Sequence, residues 1–320
     1  MTRPVTLLLA ALALALPLSL LAGRVWIDHT APLGSEASLI LAELRLPRAL
    51  LAVLLGAGLG ASGAAMQGYL RNPLADPGLF GVAPMAALGA VLSFYAGYAA
   101  QGLLLPLFAL AGAGLGMALL AAIAGGRGGL ALFTLAGMML ASLAGALTSL
   151  AISLSPNPFA LSEIVTWLMG ALTDRSWREV ALAAPLTLAG LALLAMAGRG
   201  LDAMTLGEAT ARSLGMNPQA LRWLMIGGVG LAVGSSVAVA GIIGFVGLVV
   251  PHLVRPFTDR RPSATLLPSA LAGALLVLVA DCLCRVLPLA GGELRLGIAL
   301  SLVGAPFFLH LLVRLRREIG

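Results

Sequence analysis

Ten apolar stretches, each close to the length of a bilayer crossing, follow one another along this chain. They lie at about 4–23, 48–69, 82–99, 103–124, 130–154, 178–198, 219–239, 241–256, 265–287 and 295–314. A helix needs roughly 20 apolar residues to cross the hydrocarbon core. The first stretch resembles a secretory leader, but its apolar run exceeds the roughly 7–15 residues of a leader core and nine more follow. The eighth is short and glycine-rich, and its boundary with the seventh is the least sharply marked. Charged residues make up only 10% of the chain and hydrophobic ones 60%, too little polar material to coat a water-soluble fold. The expectation is an all-α polytopic membrane protein of about ten transmembrane helices, a single transmembrane domain over residues 1–320.

Ten crossings place both termini on one side. With a cytoplasmic N-terminus, Arg3, Arg71, Arg127, Arg199, Arg212, Arg222, Arg255, Arg260, Arg261, Arg314, Arg316 and Arg317 face the cytoplasm, twelve in all; the other seven arginines face outward. The positive-inside rule favours this orientation, 12 to 7. All 19 basic residues are Arg, and the lack of any Lys excludes a Walker-type phosphate loop and Lys-nucleophile chemistry. The net charge of +6 sets topology in such a chain and implies no nucleic acid. No catalytic constellation, cofactor motif or clustered metal ligands appear. His29, His252 and His310 lie far apart and read as structural residues. Cys282 and Cys284 read as small packing residues.

Of the 40 glycines, many fall inside crossings, among them Gly56, Gly60, Gly112, Gly116, Gly241, Gly244 and Gly247. Small residues three or four apart let helices approach closely in lipid, where apolar burial drives little association. The same glycines suit a bendable, gated pathway. Asp281 is the one acidic residue well inside a crossing, and Arg285 follows one helical turn later. That spacing favours a structural pair, although an intramembrane charge is a functional candidate by default.

Three connections carry further signals. Leu44-Arg45-Leu46-Pro47-Arg48 precedes the second crossing on the outer side, where its arginines serve either as interfacial anchors or as a docking patch for acidic groups. Residues 71–81 form a rigid, turn-rich cytoplasmic link. Between the sixth and seventh crossings, Thr205 and Glu208 fit a capping box, Gly215 a helix stop and Pro218 the next helix start. A short cytoplasmic helix follows, suited to receive force from a partner.

Taken together, five motifs in order resemble the permease subunits of ABC importers for iron–siderophore complexes, haem and cobalamin, over about residues 40–314. They are Leu44 to Arg48; Gly68 to Gly81 with its Asn72-Pro73-Leu74-Ala75-Asp76-Pro77-Gly78 centre; Glu208 to Gly215; Gly241 to Pro256; and Gly304-Ala305-Pro306-Phe307-Phe308. The resemblance implies a homodimer in the bacterial cytoplasmic (inner) membrane with a pathway along the dimer axis. It also implies a pair of cytoplasmic ATPase subunits and a periplasmic substrate-binding protein, so that the chain itself is no enzyme. By the same resemblance Glu208, Ala209, Arg212 and Gly215 contact the ATPase, and Arg45 and Arg48 dock the binding protein. Residues 130–170, with Met138, Met139 and Trp167, help line the pathway.

Two positions depart from the family pattern. Arg295 follows Glu293-Leu294 where Pro is expected, making it a further docking candidate or an interfacial anchor. Arg175 stands in a stretch that is usually small and polar. A cation at that mouth suits an anionic cargo, which favours haem, with a ferric siderophore or cobalamin as the alternative. The rival from another class is an ion-coupled secondary carrier with Asp281 as its coupling site.

Overall fold

The computed structural model describes residues 3–23, 35–98, 102–125, 129–155, 158–287 and 292–319; Arg24, His29 and Arg127 lie outside them. Every regular element among the described residues is helical. Eight of the helices among the described residues are long and apolar enough to cross a membrane. They are α1 (Arg3–Leu21), α2 (Glu36–Leu39) continuing through a π-helical stretch (Ile40–Arg45) into α3 (Leu46–Leu70), α5 (Leu104–Ala124), α6 (Leu130–Ser153), α8 (Trp177–Met204), α10 (Pro218–Ala240), α12 (Pro262–Val286) and α13 (Leu296–Ile319). Shorter apolar helices complete the set: α4 (Val82–Tyr95), α7 (Pro158–Leu168) and α11 (Val246–Val254), beside the surface helix α9 (Glu208–Ser213).

Helix α3 is the hub. It packs against α8, α10, α11 and α12, while α4, α5 and α6 form a neighbouring group and α1 lies on α12. In the apolar window that includes α3, 78% of residues are buried, against 11% for α1. Glycines make this centre possible. A Cβ added at Gly56 would run into the Gly273 carbonyl, one at Gly60 into the Ser269 carbonyl, and one at Gly63 into the Gly247 carbonyl. On the other side of the bundle, Gly112 of α5 meets the Met85 carbonyl of α4 in the same way. Backbone-to-backbone contact replaces side-chain interdigitation here, and dispersion at close range holds the helices together.

The third and eighth crossings are only partly helical. After Arg71 caps α3 in a left-handed conformation (φ 50°), the chain turns back among the helices. Asn72 Oδ1 accepts from Leu74 N–H and Asp76 Oδ1 from Gly78 N–H, setting a 3-10 turn over Pro77–Phe80. Pro77 lies against Gly247, which itself touches Leu59 and Gly63 of α3. Gly63 is eight residues from Arg71, so this contact lies roughly 12 Å inside the helix end. Helix α4 therefore starts at mid-depth and runs outward.

The eighth crossing is its counterpart. Gly241 (φ 72°, ψ −161°) takes a conformation open essentially to glycine alone. Residues 241–244 are non-helical, Phe245 caps α11 at φ 66°, and α11 starts at mid-depth beside Gly63. It then runs inward, since Arg255 at its end meets Gln67 near the cytoplasmic end of α3. The link over 71–81, expected as a cytoplasmic loop, is thus partly a membrane-depth segment. Backbone of this kind survives at such depth only where protein surrounds it or it lines a cavity.

Candidate functional site

The outer mouth is built where three segments are stitched together. Ala171 N–H donates to the Ala240 carbonyl (2.8 Å) and Gly297 N–H to the Gly170 carbonyl (3.1 Å), tying the chain after α7 to the end of α10 and the start of α13. Beneath this junction lies a cavity of about 500 Å³ lined by Phe94, Glu163, Trp167, Thr173, Arg175 and Arg295, among others. Trp167 stacks edge-on with Phe94, ring centroids 6.3 Å apart, and its indole N–H has no partner among the described residues. Burial lowers the Arg175 pKa, Glu179 and Asp174 raise it, and Arg295 lowers it further; the guanidinium stays charged at any physiological pH. Three predicted residues, Trp167, Arg175 and Arg295, therefore converge on one cavity. Met138 and Met139 do not line it. They lie about half-exposed on α6, part of an uncovered apolar face with Leu135, Leu143, Leu147 and Leu150.

The outer arginines of the second crossing make specific contacts within the chain. Arg48 donates from Nε and Nη2 to both oxygens of Asp281 (2.9–3.1 Å) and from Nη2 to Glu293 Oε2 (2.8 Å). Arg285 pairs with the same Asp281 at 3.1 Å. Glu293 also accepts from the Thr173 hydroxyl at 3.2 Å. Arg45 is 9% exposed and donates to the Leu20 carbonyl of α1 at 2.7 Å. Both arginines help hold the outer ends of α1, α3, α12 and α13 together, and both also line a cavity of about 330 Å³ on that side. The Asp281–Arg285 pair read from spacing is present, but it is half of a larger network whose other cation comes from α3. Arg295 keeps its place at the rim of the mouth.

On the cytoplasmic side, α9 forms where the short helix was expected, with different caps. Helix α8 runs on to Met204, and the Thr205 hydroxyl closes it by donating to the Asp202 carbonyl (2.7 Å). The capping box predicted for Thr205 and Glu208 does not form, because Gly207 at φ 95° stands at the N-cap. Gly215 (φ 82°) does stop the helix: its N–H bonds the Arg212 carbonyl and that of Met216 the Ala211 carbonyl, which satisfies the last turn. Glu208 and Arg212 pair along one face at 2.6 Å, and Ala209 is exposed. Leu206 and Leu214, more than half exposed, flank the helix as two apolar knuckles. Asn217 caps α10, with Pro218 in its first turn.

Two buried polar residues escaped the sequence reading. Arg222, counted with the cytoplasmic arginines, is 4% exposed and donates to the Tyr69 hydroxyl and the Ala124 carbonyl. Gln67, 2% exposed, donates to the Leu248 carbonyl at 3.2 Å and accepts from Arg255 at 2.7 Å. His252 packs edge-on against Phe307, in keeping with a structural role. No cluster of three potential metal ligands occurs among the described residues.

The profile of the FecCD transport family matches residues 6–314. The chain belongs to that family. Among FecCD relatives, the vitamin B12 import system permease protein BtuC of Serratia proteamaculans is 40% identical over 323 aligned residues, covering 98% of this chain and 93% of the relative. The uncharacterized ABC transporter permease protein YvrB of Bacillus subtilis is 41% identical, covering 87% and 80%. Among solved structures, an inward-facing conformation of a metal-chelate type ABC transporter superposes with a TM-score of 0.88 at 31% identity, covering 97% and 98% of the two chains. This FecCD chain is accordingly an ABC-importer permease subunit rather than a catalytic enzyme, and a multi-pass protein of the bacterial inner membrane.

Proposed function

We propose that this permease moves a corrinoid of the cobalamin class from periplasm to cytoplasm by alternating access. It would do so as a homodimer with two cytoplasmic ATPase subunits and a periplasmic binding protein. The near-full-length match to a permease of a vitamin B12 import system carries this reading. It displaces haem, the cargo favoured on Arg175 alone, in favour of the alternative. A mouth offering Glu163, Thr166, Thr173, Arg175 and Arg295 supplies donors and acceptors for an amide-rich ring rim as readily as cations for propionates. ATP binding in the partner would press α9, and α8 and α10, which it joins, would carry that push to the mouth.

The test is ATP-driven uptake in proteoliposomes holding this chain, its ATPase and its binding protein, with cobalamin, haem and a ferric siderophore compared. Cobalamin should accumulate only with ATP. Glu208→Lys, which sets two cations one turn apart on α9, should leave the complex assembled while hydrolysis no longer drives uptake. Haem uptake without cobalamin uptake would remove the corrinoid assignment, and uptake without ATP would remove the class.

A further inference from the structure

A cavity of about 260 Å³ opens at the cytoplasmic ends of the helices, and three of its walls are arginines: Arg71, Arg255 and Arg260. Arg71 caps α3, Arg255 caps α11, and Arg260 precedes α12; Thr205, the cap of α8, completes the rim. The cavity thus lies at the level of the headgroups, and its volume is several times the roughly 30 Å³ share of one water.

Three observations set this cluster apart from arginines that merely mark topology. First, none of the three pairs with a carboxylate among the described residues; the ion pairs there involve Arg48, Arg212 and Arg285. Second, Arg255 is aimed. Gln67 is buried and spends its amide N–H on the Leu248 carbonyl, which turns its oxygen toward the Arg255 guanidinium. Third, Arg71 (φ 50°) and Arg260 (φ 60°) are two of the four described non-glycine residues with left-handed backbone. Such a conformation costs about 1–2 kcal/mol per residue, and glycine would remove that cost. Both of these strained positions carry a long cationic side chain that lines the same hollow. Three guanidiniums around one hollow repel each other until an anion enters, and their planar forks match the oxygens of a phosphate.

We propose that this cavity binds a phosphate group, either as free phosphate or as the headgroup of an anionic inner-leaflet lipid. Arg71 also reaches toward Gly207, the N-cap of α9, with Nη1 4.0 Å from where a Cβ would stand. A bound phosphate therefore links the foot of the coupling helix to the half-helix α11 and to α12. The site does not depend on the cargo, and its failure would leave the importer reading intact.

Hydrogen exchange of the 255–262 segment, read in full-length protein in nanodiscs, tests the site. One arm titrates inorganic phosphate against chloride at equal ionic strength in phosphatidylcholine discs. The other raises the phosphatidylglycerol fraction without phosphate. At ten times the dissociation constant, exchange should slow about tenfold. Slowing in the first arm assigns a soluble phosphate; slowing in the second alone assigns a lipid headgroup. Arg71→Gln together with Arg260→Gly should abolish the response, and since Arg260→Gly relieves backbone strain, the variant retains its fold. No slowing in either arm, or equal slowing in the variant, overturns the proposal. So does slowing that appears only when the ATPase is added, which would assign the arginines to a partner's carboxylates.

Discussion

Asp281 sits 1% exposed at its side chain between two arginines, one on its own helix and one on α3. Removing one member of such a buried set strands the others, a loss of about 3–5 kcal/mol. Asp281→Asn should therefore lower the melting temperature in detergent far more than Glu293→Gln, whose side chain is 24% exposed and whose removal is expected to cost about 1 kcal/mol or less. Equal losses would mean that Asp281 is hydrated in solution. Glu293 also carries a pH signature. Burial pulls its pKa up, but the hydrogen bond and charge of Arg48 outweigh this, helped by Thr173, and the value ends below the ordinary one. A carboxylate depressed in the folded state contributes stability above its free pKa and loses it as pH falls through the folded value. The melting-temperature gap between the native protein and Glu293→Gln should thus be constant at neutral pH and close in acid; a gap that persists there would refute the pairing. The spacing of Asp281 and Arg285 was legible in the sequence. Arg48 and Glu293 were not, because they lie 233 and 245 residues from their partners and local periodicity carries no trace of that.

Helices were legible wherever an apolar run was long enough, and illegible in depth wherever it was broken. Pro77, Gly78 and Gly81 announce a turn, but the same residues would make a surface loop; what draws them inward is the Gly247 backbone, bare enough to accept Pro77. Asp76 fastens this turn by accepting from Gly78 N–H at 2.7 Å. Asp76→Ala should cost about 1 kcal/mol, the usual value of a lost N-cap, and should speed exchange at residues 77–82 while leaving α3 protected. Unchanged exchange there would show that packing alone holds the segment. At Gly63, where a Cβ would strike the Gly247 carbonyl, Gly63→Val should push α11 off α3. Overpacking of this kind typically costs 1–3 kcal/mol; a normal melting temperature would mean that the two backbones separate easily. The short helix α9 was found from Gly215 and Pro218, yet its start was misplaced, since a Thr and a Glu at the right spacing mimic a capping box.

For the molecule as a whole, α6 carries an apolar face that no other described residue covers, Met138 and Met139 among it. Lipid and a second copy are the two candidates to cover it. In a background lacking Cys282 and Cys284, Met139→Cys should cross-link between two subunits with a short bis-maleimide if this face borders the dimer axis; reaction with a lipid-phase probe and no dimer would assign it to the bilayer. The two half-helices bear on a different matter, the order in which the protein is made. Residues 77–80 and 241–245 bring irregular backbone to mid-depth, and such backbone cannot partition into lipid by itself. Neither α4 nor α11 can therefore enter the membrane as a free-standing hairpin. Each must wait in the translocation machinery or at the interface until α3 and its glycine-lined neighbours stand ready to receive it. Biogenesis of this chain is then stepwise: full-length helices insert first, and the two interrupted crossings are threaded into a scaffold already in place.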